Sequence, residues 1–528
     1  MESKFKPNLD SKYSYYVLSV LLIVYIFNFL DRQIIAILAN DIREDLGISL
    51  SDLGFLYGTA FAIFYSIVGI PLAKLADSWH RNYLISAGVG MWSLMTAASG
   101  LMRSFIGLAI CRIGVGIGES SASPAAYSLL SDYFSTKVKT TVYSIYSSGI
   151  YIGGGIGIFL GGWIADSWNN IYPISEQAPF QFAGWQIAFI SVGLPGLLIA
   201  LLVLTIKEPE RGHSEGIKIE KVDKPFSEAL KILYGILPIS ALISLLYKKE
   251  KTSEILYQVY ATFAVILMII IMSYLTGDSL QWGAFGLGLF TLISWIQTMK
   301  LSDPIAFSLS FKSKTIILCM IGFPLISFMG YAVSAFLPAY FIETFEVTKT
   351  VAGRNLGLQS AVFGFFGLLT GGLISDYLRR KFLNGRLYVG IFAVVTSPIS
   401  IILTLQAETL LIFYTFHIIW SYVSTLWVGL CVATVTDLVL PRMRAMISAF
   451  WILMASIVGL ALGPYSIGKL ADYFLSIDFS TADSISYSIQ IWCLVFIISL
   501  ISLVLATRFL PSEEQTKVER AVALGEQV

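Results

Sequence analysis

The chain of 528 residues is too apolar for a soluble globular protein, since 56% of its residues are hydrophobic and only 13% are charged. Soluble domains carry about 25% charged residues, and no soluble core hides this much apolar surface. The formal net charge of +1 gives no indication of a nucleic-acid or other polyanionic partner.

The content of cysteine and histidine gives no sign of a disulfide framework, a metal centre or a cofactor site. All four cysteines lie inside apolar runs and are expected to be small buried side chains: Cys111, Cys319, Cys431 and Cys493. The three histidines, His80, His213 and His417, are far apart in the sequence. No acid, base and nucleophile assemble without borrowing structural residues, which disfavours a membrane-embedded lipid-modifying enzyme.

Apolar stretches of about 20 residues, long enough to cross a bilayer as a helix, recur along the chain. Twelve are predicted near 14–37, 53–76, 83–102, 105–130, 140–165, 185–206, 315–341, 356–376, 386–404, 408–434, 445–471 and 487–509. Two more, near 256–276 and 282–298, lie between the sixth and the seventh. The first run follows a polar start without a cleavage site, so we expect a permanent span. The sequence predicts an all-α polytopic membrane protein with about 14 transmembrane helices.

The region between the two sets of six helices is predicted to be a linker. A shorter apolar stretch at 232–246 contains Pro238, has charged neighbours and is predicted to be an interfacial helix. The predicted organisation is a cytoplasmic tail at 1–13, a six-helix bundle at 14–210, a cytoplasmic linker with the interfacial helix and the two extra helices at 211–314, a second six-helix bundle at 315–510, and a cytoplasmic tail at 511–528.

The distribution of lysine and arginine predicts the orientation. One set of loops is basic and contains Arg81, Lys137, Lys139, Arg379, Arg380, Lys381, Arg386, Arg442 and Arg444. On the same side, the extra pair is flanked by Lys248, Lys249, Lys251, Lys300, Lys312 and Lys314. The opposite loops carry Asp166, Glu176, Glu408 and Asp483. Basic loops stay in the cytoplasm, so both termini are expected there.

A short pattern ending in aspartate marks the ends of four predicted helices. Asp376 follows Asp77 by 299 positions, and Asp472 follows Asp166 by 306. The similar offsets predict a parallel repeat of six helices, with the extra pair inserted between the copies. Because the pattern also ends helices that run in opposite directions, each half is expected to contain an inverted repeat.

The stretch Leu75-Ala-Asp-Ser-Trp-His-Arg81 resembles the signature loop of the major facilitator superfamily. It departs from that signature at Ala73 and His80, where glycines are usual, and at Asn82, where a basic residue is usual. The resemblance implies two pseudo-symmetric six-helix bundles, alternating access, and a loop that gates the cytoplasmic side. It also implies a protein that works as a monomer.

Other motifs resemble the spinster group of that superfamily. They are Asn28-Phe-Leu-Asp-Arg32, Arg112-Ile-Gly-Val-Gly-Ile-Gly-Glu119, Pro124, Asp132-Tyr-Phe134, Gly184-Trp185, Lys207-Glu-Pro-Glu-Arg-Gly212 and Gly463-Pro464. The similarity covers both six-helix halves and leaves out roughly 212–312. Animal members are associated with proton-linked export of lysophospholipids or sphingosine phosphate. The resemblance therefore implies a lipid-like amphiphile or an organic anion as substrate.

Four charged residues are predicted to lie within two spans, where charge is expensive and usually functional. Asp31 and Arg112 are expected at matching depths of roughly 9 Å from the outer surface, where they can pair. Glu119 lies two helical turns after Arg112, about 10 Å deeper. Our hypothesis is that Asp31 and Glu119 exchange protons while Arg112 and Arg32 bias their affinity. The alternative is a static ion-pair cluster that only orders the two helices.

Polar residues in several spans are candidates for the substrate cavity. The set comprises Asn28, Tyr57, Tyr65, Tyr331, Gln359 and His417. His417 lies near the counterpart of Arg112 in the second repeat, and it is a candidate for binding substrate or a proton. Each candidate also has a plainer interpretation, because tyrosines in spans commonly pack or anchor at the interface and a buried histidine is commonly structural.

Two further sets of residues are predicted to act in packing and gating. Glycines spaced by four, Gly149, Gly153, Gly157 and Gly161, place a smooth stripe on one helix, which is predicted to pack at the interface between domains. Asp77 with Arg81 and Asp376 with Arg379 are predicted to latch the cytoplasmic side, the alternative being ordinary solvated loop charge.

Taken together, these features predict a secondary active transporter and not an enzyme. The expected substrate is a small amphiphilic or anionic molecule, carried with protons, and an organic-anion or sugar-acid symporter is the alternative. A channel is disfavoured, since an internal repeat with charges near the midplane is typical of alternating access. The expected partners are substrate, protons and membrane lipids, and the expected location is a bacterial inner membrane.

Overall fold

The computed structural model describes residues 5, 7–135, 138–211, 224–247, 251–440 and 443–526. Every regular element in these ranges is helical. Residues named above that lie outside them are Lys137, Gly212, His213, Lys248, Lys249 and Arg442.

The first part of the chain forms helices joined by short turns. Their bounds are Lys12–Ile37, Ala39–Leu46, Leu50–Gly54, Ala60–Ser78, Arg81–Ser99, Phe105–Glu119, Ala122–Tyr133, Lys139–Ser147, Gly149–Ile171 and Gly184–Val203. A π-helical turn, Phe55–Thr59, joins Leu50–Gly54 to Ala60–Ser78 without a break. Two 3₁₀ turns, Ser175–Gln177 and Pro179–Gln181, precede Gly184–Val203.

The middle and last parts are also helical. The helices of the middle part are Pro225–Ile236, Ser240–Tyr247, Thr252–Thr276, Ser279–Ser302 and Pro304–Phe311. Those of the last part are Lys314–Phe345, Lys349–Lys381, Gly385–Leu405, Leu410–Val423, Leu430–Asp437, Arg444–Met454, Leu462–Ser476, Thr481–Trp492, Val495–Gln515 and Lys517–Ala523. A π-helical segment, Ala455–Ala461, lies between Arg444–Met454 and Leu462–Ser476.

Each predicted span contains helix in the structure, which confirms the all-α polytopic class. Within the described residues, 12 helices are long and apolar enough to cross a membrane, including Thr252–Thr276 and Ser279–Ser302. Two predicted spans fall outside that set. They are Arg81–Ser99 and the segment near 408–434, where Leu410–Val423 is shorter than a full span.

The helix predicted at 232–246 is interrupted. Pro225–Ile236 and Ser240–Tyr247 meet at a bend of 102°. Pro238 lies at the bend, where it lacks the N–H that would continue the helix, and Ile239 has a φ of +65°. Proline therefore divides the predicted helix into two short helices.

The chain folds as two compact units. Unit 1 contains Met1–Ile48, Ala60–Leu233 and Phe341–Ala361, and unit 2 contains Ser49–Thr59, Tyr234–Tyr340 and Val362–Val528. Each unit thus includes a short segment from the other half of the sequence. The predicted bundle boundaries at 14–210 and 315–510 stay a prediction.

Glycines explain why Ser49–Thr59 packs within unit 2. A Cβ atom added at Gly54 would lie 2.5 Å from the carbonyl oxygen of Pro464, and one at Gly58 would lie 2.2 Å from that of Leu460. Only a residue without a side chain allows two helix backbones to approach this closely.

The predicted glycine stripe packs inside unit 1. A Cβ atom at Gly153 would lie 2.2 Å from the carbonyl oxygen of Ile26, and one at Gly157 would lie 2.7 Å from that of Leu30. Gly149 and Gly161 face the same helix, Lys12–Ile37. The stripe therefore joins two helices of the first bundle, and the prediction that it packs between domains was wrong.

Two other glycines of the same helix, Gly149–Ile171, contact the helix Lys349–Lys381. A Cβ atom at Gly155 would lie 2.5 Å from the carbonyl oxygen of Gly357, and one at Gly162 would lie 2.5 Å from that of Lys349. These contacts hold the beginning of Lys349–Lys381 within unit 1.

Candidate functional site

Unit 1 contains a cluster of buried charges on two helices. Asp31 and Arg32 lie on Lys12–Ile37, and Arg112 and Glu119 lie on Phe105–Glu119. Nε of Arg32 donates to Oε2 of Glu119 at 2.7 Å, and the Glu119 side chain is fully buried. A carboxylate in such a place requires a close cationic partner, because desolvation of a lone charge is very costly.

Arg112 reaches the first helix through the main chain. Its Nη1 donates to the carbonyl oxygen of Asp31 at 3.3 Å, and both residues are buried. The two predicted partners are therefore neighbours, as their matching depths indicated. A salt bridge of this cluster joins Glu119 to Arg32.

Aromatic rings surround the guanidinium group of Arg32. Its central carbon lies 4.4 Å from the ring centre of Phe61, 4.8 Å from that of Phe29 and 5.1 Å from that of Tyr65. At such distances the ring faces attract the cation. Arg32 therefore lies between one carboxylate and three aromatic rings.

A glycine brings Phe105–Glu119 close to Ala60–Ser78, the helix that carries Phe61 and Tyr65. A Cβ atom at Gly116 would lie 2.6 Å from the carbonyl oxygen of Phe61, so the helices carrying these residues approach closely. Phe29 and Phe61 were not predicted as site residues. Their spacing in the sequence could have identified them, since Phe29 precedes Arg32 by one helical turn and Phe61 precedes Tyr65 by one helical turn.

The predicted cavity residues are divided between the units. Asn28, Tyr65 and Gln359 belong to unit 1, and Asn28 lies one turn before Asp31 and Arg32. The members in unit 2 are Tyr57, Tyr331 and His417. The ring of His417 is buried and stacks on Phe413, with 5.9 Å between ring centres.

A second charge cluster in unit 1 surrounds Arg81. Its Nη1 donates to Asp132 at 2.6 Å and to the carbonyl oxygen of Ser128 at 3.0 Å, and its Nε donates to Glu208 at 2.7 Å. Arg81 is almost fully buried. Its salt bridges are therefore with Asp132 and Glu208, and not with Asp77 as the predicted latch implied.

Unit 2 repeats part of this cluster around Arg386. Its Nη1 donates to Asp437 at 2.5 Å and to the carbonyl oxygen of Ala433 at 3.0 Å. Arg386, Asp437 and Ala433 each follow their unit 1 counterparts, Arg81, Asp132 and Ser128, by 305 positions. The internal repeat thus extends to individual hydrogen bonds.

The residue predicted to latch the second repeat has another partner. Arg379 binds Glu514, whereas Asp376 lies 4.0 Å from Arg386. Ten positions separate Asp376 from Arg386, but only four separate Asp77 from Arg81. The longer turn places Arg386, and not Arg379, at the position equivalent to Arg81. A search at the offset of 305 would have found it.

Two aspartates cap helices that begin on the side predicted to face outward. Asp166 accepts from the main-chain N–H and the hydroxyl of Thr350, both at 2.7 Å. Asp472 accepts from the N–H groups of Leu50 at 2.8 Å and Ser51 at 2.9 Å. A carboxylate at a helix N-terminus satisfies free N–H groups and interacts favourably with the helix dipole. These are two of the aspartates that marked the repeat.

The sequence profile of the Major Facilitator Superfamily matches residues 21–464, which include most of both six-helix halves. The chain belongs to the major facilitator superfamily. Together with the 12 candidate spans among the described residues, the match identifies the protein as a multi-pass membrane transporter.

The curated relatives of this major facilitator protein carry different names. An "MFS-type efflux pump" of Mycolicibacterium smegmatis is 22% identical over 454 residues, 86% of this chain and 83% of the relative. "Protein spinster" of Drosophila melanogaster is 31% identical over 202 residues, 38% of this chain and 31% of the relative. A "Probable L-galactonate transporter" of Escherichia coli is 27% identical over 176 residues, 33% of this chain and 35% of the relative.

A solved structure shows the same fold. It is a bacterial homologue of the human lysosomal transporter Spinster in an inward-facing, unoccupied conformation. The TM-score is 0.67 and the identity 23%, with 97% of this chain and 99% of that chain covered. Together with the superfamily match, this similarity confirms the predicted fold and the resemblance to spinster proteins.

Proposed function

We propose that this superfamily member is a proton-coupled secondary transporter of an amphiphilic anion, such as a lysophospholipid or a sphingoid phosphate. The observation that carries the proposal is the buried pair of Arg32 and Glu119, next to Asp31 and Arg112. Four charges on two facing helices are more than packing requires in a membrane protein.

The Arg32–Glu119 pair provides a physical route to coupling. Protonation of Glu119 removes its charge and weakens its hold on Arg32, which then becomes available to an anionic substrate group. Deprotonation restores the pair and releases the anion. The Glu119 carboxylate and the substrate anion thereby compete for one guanidinium group, so binding of the proton favours binding of the substrate. Asp31 and Arg112 lie beside this pair and bias the proton affinity of the cluster.

The surroundings of Arg32 support an amphiphile as substrate. A cation flanked by Phe29, Phe61 and Tyr65 offers charge to a head group and apolar ring surface to the chain that follows it. The name of the Drosophila relative, Protein spinster, agrees with the resemblance to a lipid-exporting group. Asn28, Gln359, Tyr57, Tyr331 and His417 are the further residues proposed to line the substrate cavity.

An organic-anion or sugar-acid symporter is the second candidate. The relative named as a probable L-galactonate transporter favours it, since a sugar acid also presents a carboxylate to an arginine. The bacterial relatives favour location in a plasma membrane. We propose a monomer with both termini in the cytoplasm.

The charge clusters around Arg81 and Arg386 are proposed to act as cytoplasmic gates. Each joins the start of one helix to an aspartate near the end of another. Asp77, Asp376 and Arg379 lie near these clusters in sequence and complete the proposed gate. Opening that side requires the helices to separate, and the salt bridges oppose this.

Proton flux in proteoliposomes tests the proposal. The protein is reconstituted with a pH-sensitive dye inside and is given lysophospholipids, sphingoid phosphates or sugar acids in turn. We expect flux with one class, its loss in Glu119→Gln, and unchanged flux in the control Glu228→Gln, which removes a carboxylate from an exposed pair with Lys231. Undiminished flux in Glu119→Gln would refute coupling through this residue, and flux with sugar acids alone would favour the second candidate.

A further inference from the structure

The two inserted helices, Thr252–Thr276 and Ser279–Ser302, form a hairpin that belongs to neither copy of the six-helix repeat. Polar contacts hold the two helices together: Gln258 donates to Ser294 at 2.7 Å, and Lys300 pairs with Glu254 at 2.7 Å. One helix of the hairpin presents large apolar side chains outward, as expected for a surface in contact with lipid. The other helix lies against the rest of unit 2.

The tip of the hairpin binds the helix Leu462–Ser476. Oδ2 of Asp278 accepts from the hydroxyl of Tyr465 at 2.7 Å and pairs with Nζ of Lys469 at 2.8 Å. Trp282 packs edge-on against the ring of Tyr465, with 5.7 Å between ring centres. Tyr465 and Lys469 are four positions apart, so one carboxylate spans a full turn of that helix.

An adjacent face of Leu462–Ser476 holds the beginning of the second predicted span. A Cβ atom at Gly468 would lie 2.3 Å from the carbonyl oxygen of Leu50, and Asp472 caps the N–H groups of Leu50 and Ser51. Just before this helix, Ala461 accepts from the hydroxyl of Thr59 at 2.7 Å. The residues that contact the hairpin, Tyr465 and Lys469, alternate with those that contact this segment.

We propose that the inserted hairpin is a brace that keeps Leu462–Ser476 seated on Ser49–Thr59, with Asp278 as the positioning residue. The inference rests on the proposed alternating access, because Ser49–Thr59 must leave this helix if the outer side is to open. A helix whose Tyr465 and Lys469 side chains are both held by one carboxylate has less freedom to shift or rotate. The hairpin therefore prolongs the closed state of this outer contact.

Cysteine accessibility measures the opening directly. Leu53 is buried in the contact, and the four native cysteines are also buried, so Leu53→Cys provides a site with low background. The labelling rate with a membrane-impermeant maleimide added from outside reports exposure of Ser49–Thr59. We expect Asp278→Asn to raise this rate by about tenfold, which corresponds to the loss of one charge-assisted contact.

Two further variants complete the design. Glu254→Gln is the matched control, since it removes a carboxylate from the same hairpin whose partner, Lys300, also belongs to the hairpin, and it should leave the rate unchanged. Tyr465→Phe removes one hydroxyl and should give a smaller increase. It decides the question if Asp278→Asn fails to fold, as judged by size-exclusion chromatography.

The brace and the proposed function fail in different ways. Unchanged labelling in both Asp278→Asn and Tyr465→Phe would overturn the brace, whatever the flux measurements give. An equal rise in Glu254→Gln would also overturn it, because the effect would then belong to the hairpin's stability and not to its tip. Proton flux that is insensitive to Glu119→Gln, with labelling raised in Asp278→Asn, would remove the coupling scheme and leave the brace intact.

Discussion

Arg81 and Arg386 make the same contacts in two different places. Each Nη1 donates to a main-chain carbonyl oxygen at 3.0 Å and to the aspartate four positions after it, Asp132 or Asp437. The two clusters differ in burial. The Asp132 side chain is 7% exposed, whereas that of Asp437 is 34% exposed.

This difference in burial predicts unequal costs of substitution. Arg81→Ala leaves Asp132 and Glu208 without their shared cation, and we expect it to destabilise the protein by about 3–5 kcal/mol. Arg386→Ala removes the partner of a carboxylate that water already reaches, so we expect a loss of stability of roughly 1 kcal/mol. Thermal unfolding in detergent, followed by size-exclusion fluorescence, compares the two. Equal losses would contradict the assignment of different burial to the clusters.

The buried pair of Arg32 and Glu119 predicts strong non-additivity. Arg32→Ala alone leaves a buried carboxylate unpaired and should cost about 3–5 kcal/mol of unfolding free energy. The double variant Arg32→Ala with Glu119→Gln removes both charges and should recover most of that loss. A thermal unfolding series on the wild type, both single variants and the double variant gives the coupling energy. Additive losses would mean that the two side chains do not interact.

The glycine stripe predicts a steric penalty at specific positions. Gly153→Ala places a methyl group 2.2 Å from a main-chain carbonyl oxygen, so we expect a loss of about 1–3 kcal/mol. Gly372→Ala is the control, since no atom lies within 4 Å of its added Cβ and alanine favours the helix. Thermal unfolding should separate the two variants. A stable Gly153→Ala protein would show that Lys12–Ile37 can move away from the stripe.

Asp41 predicts a dependence of stability on pH. Burial raises the pKa of its carboxyl group above the ordinary value of 3.8, and this outweighs the opposite effect of Lys349, whose Nζ lies 3.0 Å away. The nearby acids Glu44 and Asp166 raise the pKa further, and Glu343 is bonded to the neighbouring Asn40.

The sign follows from proton binding. Because its pKa is raised, folded protein holds this proton more tightly than the unfolded chain does. Its contribution to stability is therefore full below the ordinary pKa and declines as pH rises through the shifted one. Asp41→Asn should remove this decline, which sets in as pH rises above the ordinary pKa of 3.8, when melting temperature in detergent is measured against pH. Glu44→Gln on the same helix should retain it, and an unchanged slope in Asp41→Asn would assign the decline to another group.

The length of the apolar runs predicted the helices, because a backbone in lipid has to satisfy its own hydrogen bonds. Asp31, Arg112 and Glu119 were predicted to be buried because a charged side chain within a span is costly when it faces lipid. Sequence spacing did not reveal that Arg32 holds Glu119, since that depends on the rotation of one helix against another. It also missed Asp278, whose partners Tyr465 and Lys469 lie 187 and 191 positions away in the chain.

Local chemistry explains two further differences. Pro238 divides a helix that hydropathy alone would continue. The longer turn between Asp376 and Arg386 adds six positions to the repeat, so the offset of 299 that relates Asp77 to Asp376 does not lead from Arg81 to its equivalent, Arg386. The exchange of Ser49–Thr59 and Phe341–Ala361 between the units depends on tertiary contacts that neither half of the sequence contains.

The donors to Asp166 and Asp472 include main-chain N–H groups, those of Thr350, Leu50 and Ser51. Every residue except proline supplies such a donor. Amino-acid substitutions at the first positions of these two helices therefore preserve the hydrogen bond from the main chain to the aspartate. Each aspartate, by contrast, has few chemical substitutes. We therefore expect the first residues of these two helices to vary among homologues, whereas the two aspartates are conserved.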